Sequence, residues 1–168
     1  VFVHACGVNG ASTRAWLRCQ DLARELALVS PDLVILSIGI NDAHDPDFSP
    51  DVYEANYRAL IARIRSVAPD AAILLTTNTD SYMKRKHPNR NAQAVRDVML
   101  RLSAMEQVAV WDTHAVMGGQ GSIRIWEKAG LAQGDRIHLK REGYALLGDL
   151  LYTALMERYG RHLRTGDH

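Results

Sequence analysis

The feature that most constrains this chain is an alternation of short apolar runs, rich in β-branched residues, with longer stretches of helical period. That is the pattern of a parallel α/β sheet. Its clearest member is LVILSI, Leu33 to Ile38, which is apolar on both faces. Such a run is expected of a central parallel strand covered by helices on both sides. Val1 to Ala5, Ala71 to Thr76 and Val108 to Asp112 read as further strands. Helices are expected over Thr13 to Leu28, over Asn91 to Met105, and from Ser49 to about Val67. In the last of these Ser49 is the N-cap, Pro50 the first helical residue, and Pro69 lies just beyond the end. Asn78 to Arg90 reads as a long polar loop, a length often reserved for function. A short amphipathic segment, Ile123 to Ala129, precedes a final helix that begins near Lys140 and is expected to stop before Gly160 as its C-cap. The expected class is α/β, three layers (α/β/α) around a parallel sheet. Residues 1–160 form one domain, and 161–168 a frayed polar tail.

With 168 residues, 47% of them hydrophobic, the chain can bury one sizeable core and needs no second domain. Twenty basic residues against nineteen acidic ones give a net charge of +1, scattered apart from Lys84, Arg85 and Lys86, so a nucleic-acid partner is disfavoured. No apolar stretch approaches the roughly 20 residues of a membrane span. The opening VFVHACGVNG has neither the charged start nor the cleavage site of a signal peptide and reads as the middle of a strand. Cys6 and Cys19 are too few for a disulfide framework and read as free thiols, which leaves the redox compartment open. His4, His44, His87, His114 and His162 share no ligand spacing, so no metal or other cofactor is implied.

Open parallel sheets gather their chemistry beyond the carboxyl ends of the strands, which directs attention to three loops. GVNGAST follows the first strand, GIND (Gly39 to Asp42) the central one, and DRIH (Asp135 to His138) precedes the last helix. In DRIH an aspartate three residues before a histidine can turn back to accept from the imidazole Nδ1, leaving Nε2 to face a nucleophile. The same spacing also arises where a helix N-terminus merely favours Asp. In GIND the Asn41 amide, projecting from a strand end, is a natural donor to a developing oxyanion, although Asn and Asp after Gly also make an ordinary turn. Gly10 can bring a backbone N–H close to a substrate, or simply close a strand-to-helix turn.

Together, in this order and with these separations, GVNGAST, GIND and DRIH resemble the later blocks of the SGNH/GDSL hydrolase family over nearly the whole chain. The resemblance implies a flavodoxin-like sheet of five strands, an oxyanion hole built from Gly10 and Asn41, and Asp135 and His138 as two members of a catalytic triad. The family's first block, a GDS-type turn holding the nucleophile, has no counterpart among these residues. The nucleophile is therefore expected outside this chain, in a segment before Val1 or on a second chain that completes the sheet. Ser12, in GAST, is the weaker alternative, because the family does not place its nucleophile in that block.

The segment from Met117 to His138 is similar to the matching region of bacterial SGNH esterases that deacetylate cell-wall or other polysaccharides. That similarity implies a serine esterase acting on short acetyl esters of a glycan, and a periplasmic or extracellular setting. Asp42 and Trp126 are then candidate substrate contacts, with Trp126 and Tyr82 offering flat faces to sugar rings. A Trp on a short amphipathic helix is also commonly core packing. A non-catalytic glycan-binding module and an O-acyltransferase are the competing readings of the same fold.

Overall fold

The structure, a computed structural model, describes residues 2–165. The chain runs α1 (Thr13–Arg18), α2 (Leu22–Val29), β1 (Leu33–Leu36), α3 (Ile40–Ala43), α4 (Pro50–Val67), β2 (Ala72–Thr76), β3 (Tyr82–Met83), β4 (His87–Pro88), α5 (Arg90–Glu106), β5 (Ala109–Trp111), α6 (Thr113–Met117), α7 (Ser122–Lys128) and α8 (Arg141–Thr165). The fold is α/β, as expected. Its parallel sheet has three strands in the order β1-β2-β5, with Leu33 opposite Ala72 and Leu74 opposite Ala109.

The core lies where α4 and α5 cover the sheet. Tyr53, Tyr57, Ile61 and Ile64 of α4 recur at helical spacing and meet Val95, Val98, Met99 and Leu102 of α5 over Ile73 and Leu75 of β2. A second cluster gathers Tyr82, Met117, Ile123, Trp126, Ala132, Leu139 and Leu147. It packs the hairpin β3–β4, α7, the loop before α8 and the first turns of α8 together, so it seats the DRIH segment. Among the described residues no helix is long and apolar enough to cross a membrane.

Several expectations are corrected. Val1 lies outside the described residues, and residues 2–9 form no strand. A strand exists only through its ladder, and these residues have no partner backbone; Phe2 is 96% exposed. LVILSI is an edge strand rather than a central one. Val34 and Leu36 pack on the core, while Leu33 and Ile35 on the other face remain over 40% exposed. The expected helix Thr13 to Leu28 is broken in two. Cys19 is extended, and the Arg63 guanidinium from α4 donates to the carbonyls of Leu17 and Gln20, satisfying acceptors that the break leaves free. The loop Asn78 to Arg90 contains the hairpin β3–β4. Gly160 does not end the last helix, which continues to Thr165. An interior Gly costs only about 1 kcal/mol, and no other stop signal stands beside it. The described part of the expected tail is thus helical, and residues 166–168 lie outside the described residues.

Candidate functional site

GIND is neither a strand end nor a plain turn, because its last three residues start the one-turn helix α3. Gly39 is fixed by packing: a Cβ there would sit 2.7 Å from Tyr53 Oη and 2.9 Å from Val95 Cγ1. Both tyrosine hydroxyls of the core, Tyr53 and Tyr57, donate to Ile38 O at 2.9 and 2.7 Å. Burial raises the pKa of both phenols, so they stay protonated and able to donate. They anchor the point where β1 gives way to α3.

Asp42 turns inward from α3, contrary to its expected contact with substrate. It is buried and accepts from Thr13 N at 3.2 and 3.1 Å and from Thr13 Oγ1 at 2.6 Å, which ties α1 to α3. Burial is the largest influence on its carboxyl and raises the pKa; the Thr13 bonds only partly offset it. Asn41 is exposed on the same turn, and its Nδ2 donates to Ala11 O at 3.0 Å. That bond holds Asn41 beside the GVNGAST turn, in which Gly10 has φ +74° and Ala11 N donates to Val8 O. An amide nitrogen has two protons, so one Asn41 N–H remains uncommitted to that bond. Ser12, the alternative nucleophile, caps α1 by accepting from Ala15 N at 3.4 Å.

DRIH is a tight, self-supporting loop. Asp135 Oδ1 accepts from the backbone of Ile137 at 2.9 Å and of His138 at 3.0 Å, while Oδ2 lies 2.8 Å from His138 Nδ1. Burial pushes the Asp135 carboxyl up, but the bonds from the His138 side chain and backbone and from Ile137 outweigh it and hold the pKa below the ordinary value. The His138 side chain is 56% exposed, and among the described residues its Nε2 has no hydrogen-bond partner. Arg136, between the two, takes a left-handed conformation. Its Nε donates to Glu127 at 2.7 Å, its Nη1 to Arg85 O at 2.6 Å, and its guanidinium lies 5.6 Å from the Tyr82 ring centroid. The Arg136 carbonyl accepts from Tyr82 N at 2.9 Å, which docks the loop onto the segment leaving β2.

Trp126 is also not a substrate face. It is buried in the second cluster, and its Nε1 donates to Met117 O at 3.0 Å. The residue that sequence reasoning passed over is His44, weighed there only as a metal ligand. It follows α3, three residues after Asn41, and its Nε2 lies 3.1 Å from Ser81 Oγ. Its pKa is lowered first by burial and then by the charge of His138. Reading GIND as a helical turn would have exposed the signal, since i and i+3 share a face. Asn41, the Gly10 turn and His44 thus lie together beyond the carboxyl end of β1, and Ser81, which His44 meets, precedes the residue on which the DRIH loop docks.

The GDSL-like lipase/acylhydrolase family matches residues 1–146. A solved structure described as a peptidoglycan O-acetylesterase is 28% identical with a TM-score of 0.86, over 91% of this chain and 45% of that one. This chain therefore spans less than half the length of that protein. A lipase/acylhydrolase from Enterococcus faecalis is 23% identical with a TM-score of 0.68, over 89% and 72% of the two chains. An acetyl xylan esterase is 20% identical with a TM-score of 0.68, over 88% and 78%. No curated protein matches.

Proposed function

Since the chain belongs to the GDSL-like lipase/acylhydrolase family, we propose that it carries the base and oxyanion half of an esterase site acting on short acetyl esters of a carbohydrate or cell-wall glycan. The observation that carries this reading is the Asp135 Oδ2 to His138 Nδ1 contact at 2.8 Å, which leaves Nε2 free. The nucleophile is a serine contributed by residues N-terminal to Val1 or by a second chain.

His138 Nε2 removes the serine hydroxyl proton as the oxygen bonds to the ester carbonyl carbon. The negative charge that collects on the carbonyl oxygen is met by the Gly10 N–H and the uncommitted Asn41 N–H. Asp135 keeps the imidazole in the tautomer with the proton on Nδ1 and stabilises the imidazolium. The alkoxy group then leaves with the proton from His138, and water repeats the sequence to release acetate and the free serine. The acetyl-ester preference follows the peptidoglycan and xylan esterases to which the fold is similar.

The test is an acetyl ester assay on this chain and on the same chain extended to include an N-terminal strand and serine, each with His138→Ala as control. Turnover only in the extended protein, and only with His138, is expected. His138-dependent turnover by the 168-residue chain would place the nucleophile within it and make Ser12 the leading candidate. An extended protein that binds acetylated glycan without hydrolysis is a binding module, and one that passes acetyl to sugar in preference to water is a transferase.

A further inference from the structure

The helix that carries Asn41 is too short to hold itself in place. A single turn has only the cost of nucleation and none of the gain of propagation, so its orientation is set by what it is bonded to. On one side it is tied to Thr13 by Asp42. On the other, Ala43 O accepts from Asn89 Nδ2 at 3.0 Å and from Asn91 Nδ2 at 3.1 Å, and the His44 ring meets Ser81 Oγ. Asn89 N donates to Ser81 O at 2.9 Å, and its Nδ2 also reaches Ser81 Oγ at 3.4 Å, so α3, Asn89 and Ser81 form a closed ring of bonds. Ser81 and Asn89 are both buried. The residue after Ser81, Tyr82, donates its N–H to the Arg136 carbonyl, and Arg136 stands between Asp135 and His138.

We propose that His44 is a positioning residue of this site: through its bond to Ser81 it couples the α3 turn carrying Asn41 to the loop carrying Asp135 and His138. The proposal rests on the reading that Asn41 and His138 serve one reaction. An oxyanion donor and a general base on separate segments need a fixed separation, and His44–Ser81–Tyr82–Arg136 is a continuous chain of contacts between them. Ser81 Oγ has one proton and two acceptor sites, so beside the Asn89 Nδ2 donor it can either donate to His44 Nε2 or accept from it, according to the tautomer of the ring. Burial keeps this ring neutral.

The link is tested first on this chain, without reference to turnover, by imidazole ¹⁵N NMR of the native protein and of Ser81→Ala, Ser81→Thr and His44→Gln. The expected result is a neutral His44. Ser81→Ala should displace the His138 ring resonances, and Ser81→Thr, which keeps the hydroxyl, should restore them. In the serine-containing protein Ser81→Ala should lower kcat on an acetyl ester on the order of tenfold with KM little changed. That is less than the roughly 10²-fold that a 1 Å misplacement can cost. His44→Gln keeps a side-chain group able to bond Ser81 and should retain more activity than His44→Ala. His138 resonances unmoved by Ser81→Ala, or His44 ring resonances that Ser81→Ala leaves unshifted, would overturn the link. An inactive serine-containing protein with the NMR pattern intact would instead overturn the esterase reading.

Discussion

Asp135 and His138 meet through one turn of chain, three residues apart, whereas Asn41 reaches its partner Ala11 across a separation of 30 residues. The contact between Asp135 and His138 is therefore built from local bonds, with both Asp135 oxygens engaged inside the loop, while Arg136 ties the loop to the rest of the fold. The oxyanion half is assembled from α1, α3, α4 and α5, and depends on Thr13, Tyr53, Tyr57 and Asn89 to seat one short helix. A site made this way has one half whose internal contact survives distant disturbance, even where its placement shifts through Arg136, and one whose internal contacts do not. The half that does not is also the half nearest the exposed edge of β1.

The difference is sharpest in activity. In the serine-containing protein His138→Ala should reduce kcat by about 10⁴-fold or more, since triad members act as a unit. Asn41→Ala should cost roughly 10²–10³-fold, the ordinary loss for one oxyanion donor. Both are read from kcat on an acetyl ester. Equal losses at the two positions would erase the distinction between a base and a supporting donor.

A smaller effect separates the halves by stability. Gly39→Ala places a methyl against Tyr53 Oη and Val95 Cγ1, both in the closed core, and should destabilise the fold by about 2–3 kcal/mol through overpacking. The urea midpoint measures it. The Asp135–His138 contact, which shares no partner with Gly39, should persist in the variant's NMR spectrum as long as it is folded. Its loss together with the Asn41–Ala11 bond would mean that the base half is not locally determined.

The same contrast explains what could be read from the chain alone. The Asp135–His138 contact was legible because the two residues lie within a single turn, and its geometry follows from spacing. The helices α4 and α5 were legible from their period, and α4 also from its cap, with Ser49 and Pro50 starting it. Asp42 and Trp126 were misread because their roles are set by burial, and burial depends on Thr13 and Met117, distant in sequence. His44 and Ser81 carry no pattern at all until the fold brings them within 3.1 Å. The strand expected at Val1 to Ala5 failed for the complementary reason. Its apolar residues state a preference, but only a neighbouring strand can make a ladder of it. The break after Arg18 was invisible too, because the group that satisfies it, Arg63, comes from α4.

The smallest effect concerns acid, where the two halves should respond with opposite sign. Asp42 is raised above the ordinary aspartate value of 3.8 by burial. Between 3.8 and its folded value the native protein therefore binds more protons than the unfolded chain, and this group's contribution to stability falls as pH rises through that window. Asp135 is held below 3.8, because the bonds from His138 and Ile137 outweigh its burial. Its contribution is fully present above 3.8 and is lost as pH falls through the folded value. Asp135 is partly solvated, so screening limits its share to under about 1 kcal/mol. On acidification Asp42 should take up its proton first, strengthening the oxyanion half, before Asp135 is protonated and the base half loses its contribution. Carboxyl ¹³C titration of the native chain reads both sites at once, with a midpoint above 3.8 for Asp42 and below it for Asp135. The reverse order would show that Thr13 stabilises the Asp42 carboxylate more than burial opposes it. The buried tie between α1 and α3 would then be a charged one, strengthening rather than weakening as the pH rises from acid to neutral.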